Sequence, residues 1–210
     1  VPGRLITDNV LVAYETVHAT KKKKRCKQSS CAGKLDMLKA YERVEWHYLE
    51  AMLSRLGFGE KFVHLVMKCV TSVRFAMKVN GSLLPYFTPS RGLRQGDPAS
   101  LFLFLICAEG LTSLMNYYGG AYIDRGIRVK VHSSWINHLL FADDSLIFMN
   151  AKVKSANRLN DILRIYAACS GQAVNREKSA VYFTPNASHE LRRDIKQTLG
   201  IVVEAFAERY

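Results

Sequence analysis

The sequence is poor in cysteine and carries an odd number of them, five in 210 residues. A disulfide framework needs cysteines in pairs, and three of the five lie in apolar, helix-like segments, which favours free thiols in a reducing compartment. Cys26 and Cys31 alone make a poor zinc site, because no second pair of ligands follows at a suitable spacing. We therefore expect an intracellular protein, in the nucleus or the cytoplasm.

The sequence also lacks a long uninterrupted hydrophobic run. The longest, LFLFLICAEGL, contains Glu109 and is shorter than the roughly 20 residues that cross a bilayer. The amino end, VPGRLITDNV, has neither an initiating Met nor the charged-then-apolar pattern of a signal sequence. We expect no membrane partner and a chain that starts within a longer one.

Acidic residues are scarce relative to basic ones. The 18 Asp and Glu residues stand against 30 Lys and Arg, which gives a formal net charge of +12 and a pI near 9.6. Such an excess favours polyanionic partners, nucleic acid above all, or an anionic membrane surface. The run KKKKRCKQSS, which includes Lys21–Lys24, indicates a solvated loop, with a nuclear-import signal or a phosphate contact as the alternatives.

The hydrophobic period alternates between helical and strand-like spacing along the chain. Thr7 is a candidate cap for a first helix, and Asn80-Gly81 supplies a hairpin turn after the alternating residues 74–79. Helices mixed with hairpin strands predict an α+β fold with an antiparallel sheet. The other predicted elements are helices at Trp46–Leu56, Glu60–Val70, Ser100–Tyr117 (ended by Gly119-Gly120), Lys152–Cys169 and Ser188–Leu199, and strands at Lys34–Met37 and Ala180–Phe183.

Two acids stand side by side in HLLFADDSLIF, residues 138–148. The apolar runs that flank Asp143 and Asp144 indicate two strands, and the polar step between them indicates a hairpin. One interpretation is that Asp-Asp is only the turn, although Asn-Gly or Asp-Gly would suit a tight primed turn better. The other is a cation site, because adjacent carboxylates repel each other unless a positive charge lies between them.

A third acid, Asp36, lies on the predicted strand Lys34–Met37. If this strand lies beside the hairpin, the carboxylates of Asp36, Asp143 and Asp144 converge at one end of the sheet. Carboxylate oxygens are the ligands that Mg²⁺ prefers, and two such ions about 3.5–4 Å apart can hold the attacking and leaving oxygens of a phosphoryl transfer. These three acids are therefore candidate ligands of two Mg²⁺ ions, with Mn²⁺ as a possible substitute.

Four motifs stand in the order seen in reverse transcriptases: KLDMLKAYERVEW, RGLRQGDPAS, LLFADDSLIF and SGQAVNREKSAVYF. Together they resemble most the non-LTR (LINE-type) retrotransposon enzymes of plants, over nearly the whole chain. The resemblance implies a right-hand polymerase palm with part of the fingers. It also implies an RNA-directed DNA polymerase whose partners are an RNA template, a DNA primer and dNTPs.

The resemblance implies catalytic roles for four residues. Asp36 and Asp143 match the first and second metal-binding aspartates of the family. Asp144 matches the third carboxylate, which is a less constant ligand. Lys178 matches the lysine thought to protonate the departing pyrophosphate, and the competing interpretation is a surface lysine beside Glu177.

Substrate contacts follow from two further stretches. Tyr41 matches the steric gate at the ribose 2′-hydroxyl, and an ordinary core aromatic is the competing interpretation. The loop that lies against the incoming nucleotide and template in the family corresponds to RGLRQGD, where the alternative is a plain glycine turn. Its expected substrate-binding residues are Arg94, Gln95 and Gly96.

The chain departs from the family pattern at a few positions. Glu42 stands where relatives usually carry Asp, which puts local packing or sugar contacts in doubt. Ala99 and Leu101 replace what are commonly Leu and Pro, so the loop-to-helix junction is expected to be less rigid. Phe141 replaces a frequent Tyr.

The resemblance also implies one truncated domain over 1–210. Residues 1–33 would be a remnant of the fingers with the basic loop, and 34–205 the palm with adjoining fingers helices, without a thumb. The missing fingers and thumb segments of the parent polyprotein would then be partners. An inactive nucleic-acid-binding remnant of a decayed element is the alternative function, and a maturase-like splicing helper ranks third.

Overall fold

A computed structural model describes residues 6–22, 28–121, 126–128, 133–141 and 144–204. Ala142 and Asp143 therefore lie outside the described residues, as do Lys23, Lys24 and Arg25 of the basic run. The helices are α1 (Ile6–Lys22), α2 (Trp46–Arg55), α3 (Glu60–Thr71), α4 (Pro98–Ala121), α5 (Val153–Ser170) and α6 (His189–Leu199). The strands are β1 (Ser30–Met37), β2 (Lys78–Val79), β3 (Ser82–Leu83), β4 (His138–Phe141), β5 (Asp144–Asn150) and β6 (Val174–Phe183).

The chain divides into two compact units, and α4 and α5 contribute to both. The sheet unit consists of the described residues of 1–38, 111–165 and 173–210. The helical unit consists of 39–110 and 166–172. The predicted α+β class is confirmed, since helices accompany an antiparallel sheet in the sheet unit.

The sheet has the strand order β4-β5-β1-β6, and all neighbouring strands are antiparallel. Both faces of β5 are buried over Ser145–Met149, as expected for an inner strand covered on both sides. On one face, Ala13 and Val17 of α1 pack with Leu146 and Phe148 of β5 in an apolar cluster. The segments on either side of Asp143 thus form the hairpin that the apolar runs predicted, with Phe141 opposite Asp144.

The ends of several elements differ from the sequence prediction. β1 begins at Ser30 instead of Lys34, because Ser30–Gly33 pair with β5. β6 begins at Val174 instead of Ala180, because Val174 and Asn175 pair with the end of β1. α4 continues through Gly119-Gly120 to Ala121, although a glycine inside a helix costs about 1 kcal/mol relative to alanine. Thr7 lies inside α1 instead of capping it.

The basic run also begins differently from the prediction. Lys21 and Lys22 belong to the last turn of α1, so the solvated loop predicted for Lys21–Lys24 is wrong at those two residues.

Both ends of α6, in contrast, are confirmed. Ser188 precedes it, with its Oγ accepting a hydrogen bond from the Leu191 N–H at 3.3 Å, and Gly200 ends it at a φ of 65°.

Among the described helices, α4 alone is long and apolar enough to cross a membrane, over Pro98–Tyr118 with a mean hydropathy of 1.6. The expectation that no stretch reaches that length is therefore wrong, because the helix continues on both sides of Glu109. A third of this stretch is buried, and the core helix of a soluble protein can be as long and as apolar, so these two properties alone do not indicate a membrane. The buried residues recur at helical spacing: Leu103, Phe104, Cys107, Ala108, Leu111 and Met115.

Candidate active site

Asp36 and Asp144 lie directly opposite each other on the neighbouring strands β1 and β5. Opposite residues of an antiparallel pair project from the same face of the sheet, with Cβ atoms about 4.5–5.5 Å apart. Like charges in this arrangement destabilise a sheet. Both residues are half-buried, so solvent screens the repulsion only in part. The two segments that carry these acids are 108 positions apart in the chain (144 minus 36).

Lys34 provides a positive charge beside this pair. Its Nζ lies 3.0 Å from Oδ2 of Asp144, and the two side chains are 32% and 30% exposed. Lys34 precedes Asp36 by two positions on β1, so both project from the same face of the sheet. One cation and two carboxylates therefore share one end of this face.

The two facing carboxylates suit a divalent cation. They supply hard oxygen donors, and the ammonium group beside Asp144 already marks a place where positive charge is favourable. Asp143 lies outside the described residues, so its part in the predicted three-acid set stays a prediction. Among the described residues, no three His, Cys, Asp or Glu side chains are arranged so that together they could hold a metal ion.

Lys178 lies in an irregular stretch of β6 beside Asp36. Lys34 of β1 pairs with Ala180, whereas Asp36 pairs with Asn175, so two steps along β1 face five along β6. The extra residues form a bulge, which leaves the Lys178 side chain exposed. The Lys178 N–H donates to Oδ1 of Asn175 at 3.4 Å, which helps to hold the bulge.

Ser179 ties this bulge to Asp36. Its Oγ accepts a hydrogen bond from the Asp36 N–H at 3.1 Å and donates one to the Asn175 carbonyl at 2.7 Å. The side chain of Ser179 is fully buried. Sequence reasoning missed Ser179 because the strand was predicted to begin at the next residue, and it missed Lys34 because no local pattern shows which acid a strand lysine contacts.

In the helical unit, the Tyr41 ring stacks on Phe104 of α4. The ring centroids are 4.8 Å apart and the planes are 20° from parallel. The Leu93 N–H donates to the Tyr41 carbonyl at 2.8 Å, which joins the tyrosine turn to the loop before α4. Tyr41 is half-buried, so part of its side chain remains accessible.

The loop before α4 is held close to this turn by Gly92. Its N–H donates to the Val44 carbonyl at 2.8 Å, and its carbonyl accepts from the Trp46 indole N–H at 2.8 Å. Gly92 has a φ of 93°, and a Cβ there would lie 2.8 Å from the carbonyl oxygen of Glu42. The loop can approach this closely only because position 92 is a glycine.

The predicted substrate residues of the same loop are exposed. Gln95 donates from Nε2 to Oε1 of Glu42 at 2.9 Å. Glu42, which stands where relatives usually carry Asp, therefore contacts the loop directly. Gly96 has a φ of 83°, and Arg94 is also exposed.

The junction between this loop and α4 is capped by Asp97. Its Oδ1 accepts from the Ala99 N–H at 2.9 Å, and its carbonyl accepts from the Ser100 N–H at 3.0 Å. Pro98 occupies the first helical position, where no N–H is needed. Asp97 thus caps the helix despite the unusual Ala99, and Ser100 is buried.

The chain is similar to known proteins over most of its length, although the share that is matched differs between them. Residues 2–202 match the family described as reverse transcriptase (RNA-dependent DNA polymerase). The uncharacterized 149 kDa protein of transposon TX1 from Xenopus laevis is 29% identical over 218 aligned residues, which cover 100% of this chain and 16% of that protein. The Pol polyprotein of the type-2 retrotransposable element R2DM from Drosophila melanogaster is 26% identical over 126 residues, which cover 60% of this chain and 11% of that protein.

Among solved structures, telomerase from Candida tropicalis in complex with a fragment of telomeric RNA has a TM-score of 0.63. The match covers 87% of this chain and 30% of that one at 13% identity, a level that supports the fold alone. The chain therefore spans less than a third of each of these three proteins.

Proposed function

Because this chain belongs to the reverse transcriptase family, we propose that it forms the catalytic palm, with part of the fingers, of an RNA-directed DNA polymerase from a non-LTR retrotransposon. The observation that carries the proposal is the register of β1 and β5, which sets Asp36 directly opposite Asp144. The proposed substrates are dNTPs, and the proposed partners are an RNA template and a DNA primer. A net charge of +12 suits these polyanions.

In the proposed site, Asp36 and Asp144 hold divalent cations together with Asp143. Two Mg²⁺ ions, for which Mn²⁺ can substitute, supply charge neutralisation at the oxygens of the reacting phosphate when they are bound. The protein then contributes mainly position, because phosphoryl transfer needs little covalent work from side chains. The sheet serves this purpose, since hydrogen-bonded strands hold both carboxylates on rigid backbone.

The other proposed contributions come from Lys178, Tyr41 and the loop with Gln95. Lys178, exposed on its bulge, donates a proton to the departing pyrophosphate. The stacked Tyr41 ring excludes a ribose 2′-hydroxyl, and its packing on Phe104 restricts the ring orientation. Arg94, Gln95 and Gly96 contact the incoming nucleotide and template.

Primer extension on an RNA template by the 210-residue chain tests this function. Asp36→Asn and Asp144→Asn should each reduce dNTP incorporation by at least about a hundredfold, since each removes charge at the reacting centre. Asp161→Asn is the matched control, because Asp161 is an exposed carboxylate on α5. Equal incorporation by the wild type and the Asp36→Asn variant would refute the proposal.

The basic charge favours a second candidate, a nucleic-acid-binding remnant without catalysis. Such a protein would bind RNA in a salt-dependent manner, and binding would not change with Mg²⁺ or with loss of the two aspartates. Absence of incorporation by the wild type combined with this binding behaviour would favour the second candidate. RNA binding that is unaffected by ionic strength would exclude it.

We also propose an intracellular location, in the nucleus or the cytoplasm. The four cysteines in the described part of the chain, Cys31, Cys69, Cys107 and Cys169, are all free, which suits a reducing compartment. Fluorescence microscopy of a tagged chain would test the location, and secretion into the medium would contradict it.

A further inference from the structure

Lys34 lies on the same face of β1 as Asp36, and its ammonium group is 3.0 Å from the Asp144 carboxylate on β5. We propose that Lys34 is a positioning residue that holds Asp144 in the metal-free protein and is displaced from it by the divalent cation. The inference rests on the proposed function, because it assigns the same two carboxylates to a metal. Lys34 would then set the affinity for the cation.

The register explains why a cation is needed at this place before any metal binds. Asp36 and Asp144 face each other across adjacent strands, and each would repel the other if both are ionised. The Lys34 ammonium contacts one of them and reduces this repulsion. The strands can therefore pair in the metal-free state, with the carboxylates already on the face where they are used.

The ion pair between Lys34 and Asp144 can be broken by a cation because both side chains are partly exposed. Both side chains are about one-third exposed, at 32% and 30%, so water screens their attraction and the bond between them is weak. A divalent ion carries twice the charge and can bind several carboxylate oxygens at once. It should therefore outcompete the ammonium for Asp144.

The surroundings of Lys34 restrict how far it can withdraw. Ala32 lies two positions before Lys34 on the same face of β1 and is buried in the apolar cluster. Leu146 belongs to the same cluster and lies directly opposite Lys34 on β5. The alkyl stem of a lysine packs on such apolar surface while its ammonium stays in water. Lys34 is therefore retained near the carboxylates after displacement, and its charge continues to oppose cation binding.

Binding of Mn²⁺ to the full chain, measured by isothermal titration calorimetry, tests the inference. Lys34→Met removes the charge and keeps most of the length of the unbranched side chain, whereas Lys34→Arg keeps the charge. We expect the apparent Kd for Mn²⁺ to fall about two- to fivefold in Lys34→Met, as the loss of a weak competing ion pair implies. Lys34→Arg should restore a Kd close to that of the wild type.

Two further variants complete the design. Lys154→Met is the matched control, because Lys154 is an exposed lysine on α5 of the same unit, and its Kd should equal that of the wild type. In an Asp144→Asn background, Lys34→Met should tighten binding less than it does in the wild type, because no ion pair with Asp144 has to break. If Lys34 had only a structural role, Lys34→Met would change the melting temperature, but its effect on the Kd for Mn²⁺ would not depend on Asp144.

The possible results separate the two proposals. If Asp36→Asn weakens Mn²⁺ binding but Lys34→Met leaves the Kd unchanged or raises it, the role of Lys34 is refuted and the proposed function stands. If neither aspartate variant affects Mn²⁺ binding, the metal site fails and the inference about Lys34 fails with it. Should Lys34→Met not fold, a Kd for Lys34→Gln equal to that of the wild type would refute the inference in the same way.

Discussion

The Asp36 N–H donates a hydrogen bond to Oγ of Ser179 at 3.1 Å, so one buried hydroxyl joins the strand of a candidate metal ligand to the bulge that carries Lys178. The same hydroxyl donates to the Asn175 carbonyl at 2.7 Å. Ser179 thus closes the bulge and determines where β6 leaves its regular pairing with β1.

Ser179→Ala should destabilise the protein by about 1–3 kcal/mol, because it leaves a backbone donor and a carbonyl acceptor without their partner. The measurement is the free energy of unfolding in urea. Ser54→Ala is the control, since the Ser54 hydroxyl donates to the Glu50 carbonyl of the same helix at an exposed position, and it should cost much less. Equal losses for the two variants would contradict the role assigned to Ser179.

Gly92→Ala should destabilise the helical unit more than Gly57→Ala does. Both glycines have positive φ values, 93° and 86°, so both substitutions carry the backbone cost of a left-handed conformation. A Cβ at position 92 would also lie 2.8 Å from the Glu42 carbonyl oxygen, whereas nothing lies within 4 Å at position 57. The difference between the two midpoints of thermal unfolding therefore measures the effect of the contact with the Glu42 carbonyl oxygen. Equal midpoints would mean that the loop around Gly92 can move away from this oxygen.

His138 should make the stability dependent on pH. Burial lowers the pKa of this imidazole below its ordinary value of 6.5, so the unfolded chain takes up the proton first. The free energy of unfolding should therefore fall as the pH drops from 7.5 through 6.5 towards 5.5. The comparison is urea unfolding at these pH values.

Substitution of two histidines checks the origin of this pH dependence. His138→Gln should flatten the slope over that range, because the group that titrates is gone. His47→Gln, a substitution of an exposed histidine on α2, is the control variant. An identical slope in His138→Gln and the wild type would assign the effect to other groups.

The cysteines should differ in their reactivity towards thiol reagents. Burial raises the pKa of Cys31 and of Cys107 to about 12, whereas Cys69 and Cys169 are exposed. At pH 8 a thiol with so high a pKa has about a thousandfold less thiolate than one with the ordinary value, so it reacts correspondingly slowly. Colorimetric thiol titration of a Cys26→Ser variant should show two fast thiols, and four after unfolding. Four fast thiols in the folded protein would contradict the burial of Cys31 and Cys107.

Elements whose signals are local could be predicted from the sequence. The limits of α6 follow from Ser188 and Gly200, a cap and a terminator that act on the adjacent turn of helix. The turn of the β2–β3 hairpin follows from Asn80-Gly81, which has the positive φ values of 49° and 84° that such a turn requires. The hairpin strands themselves are only two residues long, shorter than the alternating residues indicated.

Elements whose limits depend on distant partners were predicted less well. β1 is four residues longer at its start than expected, because Ser30–Gly33 pair with Ile147–Asn150 of β5 (34 minus 30). The extension of β6 to Val174 includes a bulge, which no periodic pattern indicates. The exposure of one side of α4 is likewise not evident in a stretch that is apolar all round.

Three properties follow from the sequence alone: the acids, lysine and glycines that are available, the mixture of helices and strands, and the hairpin on either side of Asp143. Those properties depend on residue chemistry and on neighbours within a few positions. The folded chain shows in addition that Asp36 faces Asp144, that Lys34 contacts Asp144, and that Ser179 bonds to the Asp36 backbone. These contacts depend on strand register between segments more than a hundred residues apart, and a shift of one residue would turn each side chain to the other face.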